Sequence, residues 1–99
     1  PKRTRQINDF VRDPYIVAAA LARAQDQCEM PNCKSQLFQR DDDRSYLEVH
    51  HILPLGEGGD DTLINAAALC PSCHRELHFG KLRLNKRELL RRAISAKPI

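Results

Sequence analysis

Ninety-nine residues, 41% of them hydrophobic, make one domain with a limited core, the size at which a bound metal often supplements packing. No apolar run approaches bilayer length and residues 1–12 hold no stretch of signal-peptide type, so neither a membrane-spanning nor a secreted chain is expected, and the reading is soluble and cytoplasmic. The net charge of +3 hides an asymmetry: Lys2, Arg3 and Arg5 make one end basic, Lys81, Arg83, Lys86, Arg87, Arg91, Arg92 and Lys97 outweigh Glu88 at the other, and the middle is acidic.

The chain opens on Pro1 and not Met, which suggests a domain cut from a longer protein. Asp13-Pro14 predicts a helix start, with Asp13 as N-cap and Pro14 at the first helical position. The alanine-rich run Tyr15 to Gln25 continues it, and Ile16, Val17, Ala20, Leu21 and Ala24 form its packing stripe. In Cys28-Glu-Met-Pro-Asn-Cys33, Pro31 and Asn32 supply the tight turn a chelate requires. Leu37-Phe38 is expected to begin a short strand, and Arg40 to Ser45 a charged hairpin tip. Its aspartates 41 to 43 lack the alternate spacing of a Ca2+ loop.

Tyr46 to Ile52 reads as a strand, apolar or β-branched at Leu47, Val49 and Ile52 and followed by the turn residues Pro54 and Gly56. Gly56 to Asp61 reads as a flexible loop, and Gly58-Gly59 is no phosphate loop because no Lys-Ser/Thr follows. Thr62 to Asn65 predicts a helical turn and Ala66 to Leu69 a second strand, completing a hairpin with a long connection. Cys70-Pro-Ser-Cys73 is a tight knuckle leading to a helix from about His74 to Phe79 that Gly80 ends. Asn85 should cap a last helix, Lys86 to Ser95, with Leu89, Leu90, Ala93 and Ile94 inward and its arginines outward.

Four cysteines allow two disulfides in a secreted protein, but paired short spacings without a secretory signal favour zinc. Cys28, Cys33, Cys70 and Cys73 complete a tetrahedral thiolate shell with no place for substrate, hence one structural Zn2+. His74 and His78, four apart, share a helix face, and with His50 on a neighbouring strand three neutral imidazoles can hold a catalytic divalent ion. His51 points to the other side of the strand, where an imidazole can take a proton from attacking water as general base. The Asn65 amide can brace the long loop through backbone hydrogen bonds and so hold His51 in its working tautomer; a plain turn residue is the simpler account of Asn65 alone.

On Val49-His50-His51-Ile52, Asn65 and Cys70 to His78, the chain resembles the HNH endonuclease family, with His51, Asn65 and His74 at the three namesake positions. The resemblance runs from about Cys28 to His78. It implies an α+β fold: a small zinc-stabilised ββα-metal domain, a β-hairpin plus helix around a divalent ion, with flanking N- and C-terminal helices. Residues 1–99 are then a single nuclease domain, its core about 28–80 and its basic C-terminal helix about 86–95.

The family pattern has a metal ligand before the base, commonly aspartate. Here His50 stands there, a histidine pair similar to that of colicin-type nucleases. An all-imidazole shell shifts the expected catalytic ion from Mg2+ towards Mn2+, Co2+ or Ni2+. Leu47 to His51, the Gly58-Gly59-Asp60 loop and Cys73 to His78 look closest to Mcr-type, modification-dependent restriction enzymes of bacterial or phage association.

The resemblance implies a metal-dependent DNA endonuclease domain that leaves 5′-phosphate and 3′-hydroxyl ends on double-stranded DNA. A modified-base reader is then expected in the parent chain, and cutting both strands needs a homodimer or two successive nicks. Arg75, Lys81, Arg83, Lys86, Arg87 and Arg91 are the candidate phosphate contacts, since cationic side chains release counterions from a polyanion. The alternative is a non-catalytic zinc module binding DNA or protein through its basic ends. An RNA nuclease is compatible with the same active-site residues.

Overall fold

A computed structural model describes residues 10–98; Lys2, Arg3 and Arg5, read above as a basic end, lie outside the described residues. Helix α1 (Pro14–Ala24) starts as its sequence dictates, with the Asp13 carboxylate accepting the Tyr15 N–H at 2.9 Å and Pro14 in the first turn. It stops at Gln25, whose left-handed φ of 53° turns the chain while its N–H returns to the Leu21 carbonyl. Ala20 and Ala24 are buried, and Ile16, Val17 and Leu21 pack partly onto the same cluster.

Strands β1 (Glu48–His51) and β2 (Ala66–Leu69) pair antiparallel, Glu48 opposite Leu69 and His51 opposite Ala66. Alternation divides their side chains between two cores. Val49, Ala66 and Ala68 meet α1, and Ala67 and Leu69 join Met30, Ile52, Leu77, Leu90 and Ile94 on the other side. Alanines along β2 leave room for α1 to lie close. Both helices after the hairpin cover the second face: α2 (Pro71–Phe79) and α3 (Arg83–Ser95).

Five expectations need correction. Leu37-Phe38 begins no strand: a lone bridge joins Gln39 to Ser45, Tyr46 N–H donates to the Phe38 carbonyl, and the two rings stack 5.1 Å apart. The charged segment 40–45 is nevertheless a tip, closed by Arg40 N–H to Arg44 O at 2.7 Å. The segment 56–61 is not all irregular, because Leu55–Glu57 forms a 3-10 turn. Helix α2 begins at Pro71, three residues before His74, because the Cys70 sulfur accepts the Cys73 N–H as an N-cap.

Helix α3 likewise begins at Arg83, so Asn85 lies inside it and caps nothing. The Arg83 N–H and guanidinium both bond the Gly80 carbonyl, which winds the chain three residues early. Only Leu90 and Ile94 of its apolar residues are buried; Leu89, a hundred degrees round the helix, is half exposed. Gly80 does end α2, but at an ordinary φ of −73°. A side chain there would meet the Glu76 carbonyl at 2.6 Å, so close approach is what requires glycine.

The outward-facing backbone of the sheet is fully engaged along β2. Ala66 N–H bonds Leu63 O, Ala66 O accepts from Arg23, Ala68 N–H donates to the Glu29 carboxylate at 2.9 Å and Ala68 O accepts the Glu29 N–H. Along β1, Val11 N–H donates to Val49 O and Phe10 bridges His50.

The Glu29 side chain, wholly buried, also receives Arg23 through both oxygens and Lys97 at 2.7 Å. Burial pushes its carboxyl upward, but the Arg23 and Lys97 hydrogen bonds outweigh this and leave it below its ordinary 4.5. The stabilisation is therefore full above pH 4.5 and lost as pH falls through the lowered value. Glu29→Ala strands the largely buried Arg23 and the partly exposed Lys97 and should cost about 3–5 kcal/mol, read as a lower midpoint in urea unfolding at neutral pH. No helix of the described residues is long and apolar enough to cross a membrane.

Candidate active site

The four-cysteine cluster begins at the turn 28–33, where Asn32 takes a left-handed φ of 61° and the Cys33 N–H closes on the Met30 carbonyl. The four sulfurs of Cys28, Cys33, Cys70 and Cys73 lie within 4.8 Å of one another. Cys33 and Cys70 Sγ stand 3.8 Å apart. That is the edge of a tetrahedron with about 2.3 Å zinc–sulfur arms.

Burial pushes the Cys28 thiol up to about 11 and Cys73 higher still, whereas hydrogen bonds from Ser35 and neighbouring thiols overcome burial to lower Cys33. Without a cation the cluster resists carrying four negative charges; a divalent ion relieves that. N–H groups of Cys70 and Cys73 point at sulfurs of Cys28 and Cys70, which further suits thiolates. The cluster ties the turn after α1 to the end of β2 and the start of α2.

One turn along α2, a second cluster forms. His74 and His78 lie on the face turned to the sheet, and His50 meets them from β1; the three are buried and offer nitrogens within 4.8 Å of one another. His74 and His78 Nε2 are 3.3 Å apart, which matches the tetrahedral edge for about 2.0–2.1 Å metal–nitrogen arms. Burial, then the neighbouring His74 and His78, drive the His50 pKa down to about 2. His50 is thus a neutral imidazole at neutral pH, the form a metal ligand takes. The possibility of surface histidines on a plain helix is removed by their burial.

His74 fixes which nitrogen faces the cluster. Its Nδ1 lies 2.7 Å from Glu48 Oε1, while the Tyr46 hydroxyl donates to Glu48 Oε2 at 2.8 Å. Glu48 and His50 are two apart on β1, so they share its face. A carboxylate on the far nitrogen of a ligating histidine orients the ring and raises its basicity. Sequence reasoning passed over Glu48, although its i,i+2 relation to His50 was a usable signal.

His51 points away from the three-histidine cluster, on the Val49 side of β1, as strand alternation predicted. Its Nε2 lies 2.9 Å from Asp61 Oδ1, a partner no local pattern indicated. Asn65 ends a 3-10 turn (Leu63–Asn65) and braces the loop as expected: its Oδ1 accepts Leu53 N–H, and its Nδ2 donates to Leu53 O at 3.0 Å and Asp60 O at 2.7 Å. Gly59 presses on the same bracket, where a side chain would meet Leu53 O at 1.8 Å.

Of the basic side chains, Arg75 and Lys81 are exposed and Arg83 bonds Gly80 O. The others already face acids: Lys86 with Glu76 and Arg87 with Glu57 at 3.5 Å, and Arg91 with Glu88 at 2.7 Å. Arg91 and Arg92 together hold the Glu88 carboxyl down to about 2.

A two-stranded antiparallel hairpin followed by a helix, with three histidines converging between them and four cysteines beside them, is the ββα-metal fold. The HNH endonuclease family model matches residues 28–80, more than half of the 99, and the chain belongs to that family. The Type IV methyl-directed restriction enzyme EcoKMcrA of Escherichia coli (strain K12) is 49% identical to it over 82 residues, which cover 82% of this chain and 28% of that one. Anaredoxin of Nostoc sp. (strain PCC 7120 / SAG 25.82 / UTEX 2576) is 44% identical over 36 residues, 36% of this chain and 47% of that one. The solved structure of the Type IV phosphorothioation-dependent restriction endonuclease ScoMcrA matches with a TM-score of 0.76 and 33% identity, covering 87% of this chain and 17% of that one.

Proposed function

We propose that this domain hydrolyses phosphodiester bonds of double-stranded DNA to 5′-phosphate and 3′-hydroxyl ends, as the cutting module of a modification-dependent restriction enzyme. The observation that carries the reading is the division of adjacent histidines: His50 converges with His74 and His78, while His51 turns to the other face. A divalent ion in the three-histidine cluster supplies Lewis-acid stabilisation of the charge that builds on the phosphoryl group and departing 3′ oxygen.

Within that frame, His51 takes the proton of the attacking water. Glu48 orients His74, and Asn65 fixes the loop end against residue 53. Arg75 and Lys81, exposed beside α2, are the cations most open to DNA phosphates, which position a duplex without reading its sequence. Target choice then belongs to another part of a longer protein, in keeping with the modest shares of EcoKMcrA and ScoMcrA that this chain spans.

Metal dependence tests the reading. Plasmid nicking by the zinc-loaded chain should be supported by Mn2+, Co2+ or Ni2+ at least as well as by Mg2+ at matched free concentrations, since imidazole ligands favour the softer ions. Better cleavage with Mg2+ alone would remove the three-histidine assignment, and no cleavage with any ion would leave a zinc-stabilised binding module.

A further inference from the structure

We infer that Tyr46 is a positioning residue for the three-histidine site, acting on His74 through Glu48. The inference rests on the reading of His50, His74 and His78 as ligands of one divalent ion. Tyr46, Glu48 and His50 stand at alternate positions along the segment that leads into and through β1, so they share a face. That face meets α2: His74 Nδ1 lies 2.7 Å from Glu48 Oε1, and His74 Nε2 lies 3.3 Å from His78 Nε2 within the cluster. An ionised carboxylate only accepts hydrogen bonds, so Nδ1 carries the His74 proton and the Nε2 lone pair faces the cluster.

A single contact at Oε1 leaves a carboxylate free to rotate about its last side-chain bond, a broad torsion. The Tyr46 hydroxyl removes that freedom by donating to Glu48 Oε2 at 2.8 Å. Tyr46 is held in turn from two directions: its N–H donates to the Phe38 carbonyl at 2.9 Å, and its ring stacks on Phe38 with the planes 8° apart. The tip between them is anchored just past α1, where Asp26 Oδ1 accepts the Arg44 guanidinium at 3.0 Å and the Ser45 N–H at 3.3 Å. Phe38 is 59% exposed, so burial does not account for its place; its ring is the platform for Tyr46. The charged tip thereby reaches a metal ligand through residues in contact.

Two effects of the hydroxyl oppose each other, and their signs separate them. Drawing charge from Glu48 weakens its hold on the His74 proton, so if this dominated, Tyr46→Phe would tighten metal binding. Fixing the carboxylate does the reverse, and outer partners of metal ligands are typically worth about 10- to 100-fold in affinity. Tyr46→Phe keeps the ring and the backbone contact with Phe38, so it removes the hydroxyl alone and should weaken Ni2+ binding about tenfold or more.

Calorimetric titration of Ni2+ into the zinc-loaded chain gives a readout besides activity. Tyr46→Phe should retain its zinc and its thermal transition and show the raised Kd. Glu48→Ala should weaken binding at least as much, and adding Tyr46→Phe to it should change nothing further, because the path runs through the carboxylate. Native or tighter Ni2+ binding by Tyr46→Phe, or an equal loss in the Glu48→Ala background, would overturn the proposal. His74→Ala checks the underlying reading: native Ni2+ affinity there would sink the three-histidine site and the proposal with it, whereas weakened binding by His74→Ala beside native binding by Tyr46→Phe removes the proposal alone.

Discussion

Alanine in place of His51 is expected to lower plasmid cleavage by about 10²- to 10⁴-fold, the usual worth of a positioned general base, while the chain stays folded and keeps its metals. The expectation follows from strand geometry. His51 faces away from His50, His74 and His78, so its loss leaves all three converging nitrogens in place. Its ring is buried, however, and alanine leaves a gap beside Val49 and the loop; His51→Gln fills most of that volume without offering a base.

Both variants should lose cleavage, retain a cooperative thermal transition by circular dichroism, and bind zinc and a second divalent ion with native stoichiometry. Native cleavage by a folded His51→Ala chain would show that another group takes the proton.

Stripping the structural metal should have the larger effect on the fold itself. Structural zinc contributes about 10–16 kcal/mol of apparent binding free energy near neutral pH, comparable to or above the whole ~5–15 kcal/mol stability of a domain. Chelation, or Cys70→Ala, should therefore unfold most of the chain. Cys70 carries two duties: it is one of four converging sulfurs and it is the N-cap from which α2 starts. Loss of the cluster thus frays the turn that aims His74, and the histidine site should fail with it. Because the chain has no tryptophan, far-UV circular dichroism is the suitable probe. A metal-free chain that melts within a few degrees of the zinc-loaded one would refute a structural role for the cluster.

Much of this was written in local pattern. Asp13-Pro14 announced α1 because a carboxylate cap and a fixed proline φ act within one turn. The two cysteine pairs and the i,i+4 histidines were legible because chelation demands short spacings, and the structure places each set together. What escaped depended on partners far along the chain or on uncommon donors. A cysteine sulfur at the head of α2 is absent from the usual cap residues, so the helix was expected to begin at His74. Asn85 looked like a cap, but the Gly80 carbonyl had already drawn Arg83 into the first turn. Asp61 reaches His51 across ten residues of loop, and the Arg23–Glu29–Lys97 group spans from α1 to residue 97, separations that periodicity cannot register.

The satisfied outer rims of the hairpin bear on how this domain meets other chains. On one side the Glu29 backbone and carboxylate, Arg23 and Leu63 consume every outward amide and carbonyl of Ala66 and Ala68; on the other, Phe10 and Val11 lie along His50 and Val49. A sheet so hemmed offers no ladder for strand addition, the commonest path to edge-to-edge aggregation and to β-mediated pairing. Among the described residues, helical faces and loops are what remain for self-association or attachment to neighbouring domains, and a cluster of three histidines can sit against a sheet two strands wide without inviting a third strand.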